Sequence, residues 1–242
     1  MRLSAKLCVV AAAIVAILGC RVEKPGSLVD DAGRSLRPAV PVRRVITLAP
    51  NLTEIVAFLE GGSLIVGTDD FSDYPPSMKS RPKVGGVQPN LEIMASLHAD
   101  LVISSASANH PALAPALEAL SIPLYVVRTD RLSDIPRSME ALGAVLKVPD
   151  HQKRTLEFRR SLEAQRRRRR ISPKVLFIVW TDPLYVAGRS TFMEDILELT
   201  GSSNAASSVV RSRVQPSQRW TAHRTLGPNN SLCLRRCRSN CA

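Results

Sequence analysis

Between Val45 and Val127 four short apolar runs alternate with stretches of helical period, and this alternation constrains the fold more tightly than any other feature of the 242-residue chain. The runs are Val45-Ile46-Thr47-Leu48, Leu64-Ile65-Val66, Leu101-Val102-Ile103 and Leu124-Tyr125-Val126-Val127. Each is too short for a stable helix and is apolar at consecutive positions, which marks a strand covered on both faces. Strands separated by helices can pair in parallel through helical crossovers, so an α/β lobe is expected over residues 43–148. The intervening helices carry their own signals. Asn51-Leu52-Thr53-Glu54 reads as a capping box, with Ile55, Phe58 and Leu59 on the following apolar face. Asn90 is placed to cap a second helix with Glu92 in its first turn and Ile93, Met94 and Leu97 inward; Pro111 to Leu120 reads as a third.

A long helical region follows. Asp134 to Leu146 carries Ile135, Met139, Leu142, Val145 and Leu146 at helical spacing, Pro149 interrupts, and Asp150 to Arg170 resumes with Leu156, Phe158 and Leu162. Residues 149–172 are therefore read as one backbone helix ending in Arg166 to Arg170. Positive charges in a last turn complement the helix dipole while staying hydrated, so a solvated helix end is preferred to an anion-binding patch. Lys174 to Trp180 then reads as a strand and Phe192 to Leu199 as a helix from a Ser190-Thr191 cap, opening a partial second lobe over 173–208.

Past Ser208 the periodicity is lost. No Asp or Glu follows Glu198, whereas Arg211, Arg213, Arg219, Arg224, Arg235, Arg236 and Arg238 do. Those seven and the five of Arg166 to Arg170 equal the whole excess of 33 basic over 21 acidic residues, a net charge of +12. The body is near neutral. With no aromatic-interleaved basic stripe, no nucleic acid is expected as a partner, and residues 209–242 are read as an aberrant, unstructured basic tail. Cys233, Cys237 and Cys241 would share a helical face, but no His or fourth Cys stands at a ligand spacing, so no metal is expected.

Residues 1–20 follow a signal-peptide plan: Arg2 and Lys6, the apolar run Leu7 to Leu18, then Gly19-Cys20. Twelve helical residues span only about 18 Å, short of a ~30 Å hydrocarbon core. Ile17-Leu18-Gly19-Cys20 resembles a bacterial lipobox, making Cys20 the candidate lipidation site; ordinary cleavage beside an incidental Cys is the alternative. Residues 21–42, with Pro25, Gly26, Gly33, Pro38 and Pro41, read as a linker. No P-loop, G-x-S-x-G, H-E-x-x-H or paired-carboxylate pattern is present, and His98, His110, His151 and His223 are scattered. No catalytic residue is assigned, and the chain is not expected to be an enzyme.

Six segments in register carry a resemblance. Arg44 to Asn51 with Thr53-Glu54; Val66-Gly67 with Asp73-Tyr74-Pro75-Pro76; Arg81 to Gly86; Asn90-Leu91-Glu92; Ala99 to Ile103; and Trp180 to Gly188 with Thr191-Phe192 and Asp195 together resemble the periplasmic binding proteins of vitamin B12, haem and iron-siderophore ABC importers. The resemblance runs from Arg43 to about Asn204, and the last segment is most similar to the cobalamin-binding branch.

The resemblance implies two Rossmann-like α/β lobes joined by one long backbone helix, with ligand in the cleft between them and the second lobe incomplete here. It places Pro50, Asn51, Phe71, Val87, Ser105 and Trp180 at the cleft. Phe71 and Trp180 would offer aromatic faces to a corrin ring, core packing being their alternative role. Glu92 matches the acidic side chain that docks the first lobe on the membrane permease; as a helix N-terminal charge it would also favour its own helix. The implied partners are an ABC permease with its ATPase subunits, and the cargo is cobalamin or a related corrinoid, with no resident cofactor. A haem or siderophore binder is the alternative within the family, and a basic lipoprotein adsorbing to anionic surfaces the alternative outside it. The implied location is the periplasm or the outer face of the cytoplasmic membrane. A reading-frame change near Arg213 would account together for the lost acids, stray cysteines and lost periodicity, and would impair the second lobe.

Overall fold

The computed structural model describes residues 28–36, 41–107, 111–166, 173–181, 184–208, 220–223 and 233–236. Its centre is a four-stranded, all-parallel sheet of β3 (Val45–Thr47), β4 (Ile65–Thr68), β5 (Leu101–Ser105) and β6 (Leu124–Val127), in the order β4-β3-β5-β6. Val45 lies beside Leu101 and Val102 beside Leu124, and alternation along the strands sorts their side chains into two cores. Val45, Leu101, Ile103, Tyr125 and Val127 face one side, in one core with α1 (Pro50–Phe58) and α4 (Asp134–Val145). Ile46, Val102, Leu124 and Val126 face the other, against Met94 of α2 (Leu91–Ser96) and Leu113 and Leu117 of α3 (Leu113–Ala119). Each such buried aliphatic side chain contributes ~1.5–3 kcal/mol before chain entropy is counted. This explains why the strands read as continuous apolar runs: neither face meets water.

The caps differ in how they follow the sequence. Asn90 Oδ1 accepts from the N–H groups of Glu92 (3.0 Å) and Ile93 (3.1 Å), the expected N-cap of α2. α1 corrects the capping-box reading: it starts two residues early, with Pro50 in its first turn and Ala49 rather than Asn51 as the N-cap, without a side-chain bond. Proline's fixed φ suits the first helical position, and Asn51 is left inside the helix. α4 ends at Val145 through a Schellman arrangement, Val148 N–H bonding the Gly143 carbonyl (2.9 Å) and Lys147 turning left-handed at φ 51°.

α5 (His151–Gln165) packs along α4 and reaches α1 through an edge-on contact of Phe158 with Phe58, whose ring centroids are 6.0 Å apart. It ends at Gln165; Arg166 is extended, and residues 167–172 lie outside the described residues. The helix therefore stops before the arginine run rather than ending within it. Like charges at i, i+4 spacing oppose helix continuation.

The linker reading of 21–42 is also corrected over part of its length. β1 (Leu28–Val29) and β2 (Ser35–Leu36) pair antiparallel, and the turn between them lies against β6. Asp31 N–H bonds the Val126 carbonyl (3.0 Å), Val126 N–H bonds Asp30 Oδ2 (3.1 Å), and Arg34 bonds the Leu124 carbonyl (3.2 Å). These contacts occupy main-chain groups that β6, as an edge strand, would otherwise present to another chain.

In the C-terminal part the expected strand 174–180 is two strands. β7 (Lys174–Val175) pairs in parallel with β10 (Ser203–Asn204), whereas β8 (Ile178–Thr181) folds back antiparallel on β9 (Leu184–Val186). A pairing partner only two residues away costs little loop-closure entropy. α6 (Phe192–Leu199) has the expected cap, Thr191 Oγ1 accepting from Glu194 N–H at 3.3 Å. Within the supposedly unstructured tail, β11 (Trp220–His223) pairs antiparallel with β12 (Cys233–Arg236), so Cys233 stands in a strand; Cys237 and Cys241 lie outside the described residues.

Candidate functional site

The sheet order reverses between β3 and β5, and in open parallel sheets the crevice beyond the strand C-termini at such a switch point is where ligands bind. Two adjoining cavities lie there, of about 390 and 330 Å³, sharing Ala49 and Ser107 in their walls. Pro50, Phe71 and Val87 line the first; Asn51 and Ser105 line the second. Five residues selected from sequence are thus brought together, although Phe71, Val87 and Asn51 come from three separate loops or helices.

Local chemistry explains each position. Phe71 follows β4 and is 69% exposed, so core packing is not its role. A Cβ at Gly86 would stand 3.3 Å from Phe71 Cε2, so the ring lies close over a backbone that has no side chain. Val87, 82% exposed, continues this apolar wall. Asn51 Nδ2 donates to Thr129 Oγ1 (2.8 Å), joining the start of α1 to the loop after β6, and Ser105 Oγ shares a hydrogen bond with Ser107 Oγ (2.9 Å). The second cavity accordingly has a neutral rim of hydroxyl and amide groups.

Trp180 lines neither cavity. It is 62% exposed on β8, and the C-terminal aromatic ring at the second cavity is Phe192, at the start of α6. An ion pair holds α6 in place: Arg131, in the loop after β6, grips Asp195 through Nε (2.8 Å to Oδ2) and Nη2, and Leu132 N–H adds a bond of 2.8 Å to the same carboxylate. Burial would raise the Asp195 pKa, but the hydrogen bonds and charge of Arg131, with the Leu132 N–H, outweigh it and hold the carboxyl below its usual range. Glu92 is exposed in the first turn of α2, away from both cavities' linings. Cys20 lies outside the described residues.

Sequence reasoning missed Asp69, Ser104, Ser107, Thr129, Ile135 and Phe192 as lining residues. Phe192 and Ser107 had a signal, since one stands in a quoted segment and the other two residues beyond Ser105. Among the described residues no group of three or more His, Cys, Asp or Glu side chains is arranged to hold a metal ion. Among the described residues lining these two cavities none is His, Tyr, Lys or Arg, and Asp69 is the one ionisable side chain.

Comparison with known proteins agrees with this geometry. The profile of the periplasmic binding protein family matches residues 45–219, beyond Asn204, where the motif resemblance ends. A vitamin B12-binding protein of Pectobacterium atrosepticum is 29% identical over 175 residues, covering 69% of this chain and 62% of that protein. One of Vibrio campbellii is 30% identical over 168 residues, covering 68% and 61%. The chain thus spans about three fifths of the length of these relatives. Among solved structures, the periplasmic heme-binding protein RhuT of Roseiflexus sp. RS-1 in apo form superposes with a TM-score of 0.64 at 28% identity, over 70% of this chain and 68% of that one. The periplasmic vitamin B12 binding protein BtuF of Vibrio cholerae gives 0.62 at 27% identity, over 72% and 69%. A doubly covered parallel sheet, cavities at its switch point and a family match over most of the chain converge: this chain belongs to the periplasmic binding protein family.

Proposed function

We propose that the chain captures a corrinoid, cobalamin or a close relative, as the substrate-binding component of an ABC importer, and hands it to a permease without chemical change. The observation that carries this reading is the lining of the two cavities. Phe71, Val87 and Pro50 form an apolar wall, while Asn51, Ser105, Ser107 and Thr129 form a neutral hydrogen-bonding rim. A corrinoid presents amide groups around an apolar macrocycle and brings its own axial ligands. Haem presents two carboxylates and an iron open to protein ligands, for which the described residues of the lining offer neither a cation nor an imidazole or phenol. The similarity to vitamin B12-binding proteins supports the same ligand class, and the similarity to a heme-binding protein makes haem the competing cargo to test.

Titration of the purified chain with hydroxocobalamin and with haemin, followed by calorimetry and absorbance, is the direct test. The corrinoid is expected to bind more tightly, and Phe71→Ala to weaken it about tenfold through loss of an aromatic face worth on the order of 1 kcal/mol beyond its buried area. Tighter binding of haemin than of every corrinoid tried would overturn the assignment.

The remaining assignments are to Cys20 as the lipid anchor in the periplasm-facing leaflet and to Glu92 as the first-lobe contact with the permease. Cys20→Ser is expected to release the chain from the membrane fraction, and Glu92→Ala to leave it anchored and ligand-competent while it no longer co-purifies with the permease. An unacylated mature N-terminus at another residue, or undiminished co-purification, would contradict the respective assignment.

A further inference from the structure

Beneath the Phe71 wall runs a buried chain of hydroxyl groups, those of Thr47, Thr53 and Ser72, which are not among the residues lining either cavity. Thr47 Oγ1 on β3 lies 2.6 Å from Thr53 Oγ1 on α1, and Thr53 Oγ1 lies 2.8 Å from Ser72 Oγ. Ser72 Oγ donates to Asp69 Oδ1, and Asp69 Oδ2 accepts the N–H of Phe71 at 3.1 Å. Thr47 and Thr53 are fully buried, Ser72 is 1% exposed and Asp69 is 3% exposed, so the chain exchanges no bonds with bulk water. It connects the central strand, the first helix and the loop after β4 at the point where that loop enters the cavity wall.

We infer that Asp69 is the positioning residue for the aromatic wall: it anchors the backbone of Phe71 to the buried hydroxyl chain and so fixes the ring over Gly86. Three observations support the assignment. Asp69 itself lines the cavity with Phe71 and Gly86, so movement of its loop changes the mouth directly. Its two carboxylate oxygens divide the work, one taking Ser72 and the other Phe71. Lys83, the neighbouring cation, is engaged elsewhere, donating to Thr68 Oγ1 (3.0 Å) and to the Ser72 carbonyl, which leaves the carboxylate to these two donors among the bonds of the described residues. A buried acceptor that organises two donors is costly to delete, because each donor loses its partner where no water replaces it.

The inference rests on the corrinoid reading only for its ligand measurement. The first readout needs no ligand: residue-resolved amide hydrogen exchange at Phe71, compared with core amides such as Val102 and Ile103. Asp69→Ala is expected to speed exchange at Phe71 about tenfold or more relative to those core amides, as expected from loss of a hydrogen bond to a charged acceptor. Asp69→Asn is expected to restore protection, since its carbonyl can accept from Phe71 while its amide donates to Ser72 Oγ. Ser72 can then turn its own proton toward Thr53, which can donate to the Ala49 carbonyl 3.3 Å away. Ser72→Ala keeps the carboxylate but cuts it from Thr53, and should give an intermediate rise.

The second readout is hydroxocobalamin affinity, expected to fall about tenfold in Asp69→Ala and to stay within about threefold of the parent in Asp69→Asn. A uniform rise in exchange at Phe71 and the core amides together would mean a general stability effect and would overturn the assignment, as would Asp69→Asn behaving like Asp69→Ala. Should Asp69→Ala not fold, the contrast between Ser72→Ala and Asp69→Asn at the Phe71 amide decides the matter. If the parent binds no corrinoid but Phe71 exchange follows the expected order, the positioning role stands and the ligand reading falls.

Discussion

Replacing Gly143 by alanine should destabilise the protein by about 2 kcal/mol or more, even though alanine is the better helix former by ~1 kcal/mol. Gly143 sits in the last turns of α4 where the start of α5 crosses it. A Cβ built there would overlap His151 Cβ and Cγ and stand 2.7 Å from Cδ2. The obstruction lies at the root of the His151 side chain, so rotating the ring does not remove it, and α5 itself must shift. α5 is held by buried Thr155, by Phe158 against Phe58 and by an ion pair of Arg154 with Glu60, and a shift weakens all three. Urea unfolding should show a lower midpoint with an unchanged slope. The double variant Gly143→Ala/His151→Gly, which removes the opposing Cβ, should recover much of the loss. A single variant as stable as the parent, or more so, would show that α4 and α5 do not cross this closely.

How much of this fold could be read from the sequence depended on whether local and tertiary requirements coincide. Leu124 to Val127 was legible to the residue because both faces of that strand are buried, so its pattern has no polar interruption. Asn90 and Thr191 were legible as caps because each bonds N–H groups within three residues of itself. Residues 28–36 were not, since Asp30 and Asp31 gain their meaning from Val126, nearly a hundred positions away. The same division runs through the site. Pro50, Phe71 and Ser105 stand just after or at the ends of strands, where a parallel sheet places ligands, so motif and topology agreed on them, whereas Val87, in the loop before α2, was marked by motif alone. Thr129 and Asp69 are polar residues in loops, indistinguishable in sequence from many others, and acquire a role through bonds to Asn51 and to Ser72 and Phe71. Trp180 shows the converse: a large aromatic in a quoted motif, standing exposed on a hairpin outside both cavities.

The Arg131–Asp195 pair should prove to be the attachment that gives the second cavity its Phe192 wall. Arg131→Ala leaves Asp195, whose side chain is 11% exposed, with the Leu132 N–H as its one remaining side-chain partner among the described residues. A hydrogen bond to a charged group contributes ~1.5–3 kcal/mol, but the Arg131 side chain is 41% exposed and partly screened by water, so the expected loss is about 1–2 kcal/mol. Ligand affinity should fall as well, since Phe192, three residues before Asp195, lines the cavity from α6.

The pH dependence separates this pair from a packing effect. The Asp195 carboxyl is held below its usual range in the folded chain, so its contribution is fully present above the ordinary carboxylate pKa of ~3.9 and is lost as pH falls from there through the folded value. The stability difference between parent and Arg131→Ala should therefore be constant from neutral pH down to about pH 5 and shrink below about pH 4. Arg131→Lys keeps the charge but not the two-pronged geometry, and should recover only part of both stability and affinity. A difference that persists unchanged into acid, or an Arg131→Ala chain that binds ligand as the parent does, would show that α6 is positioned by other contacts.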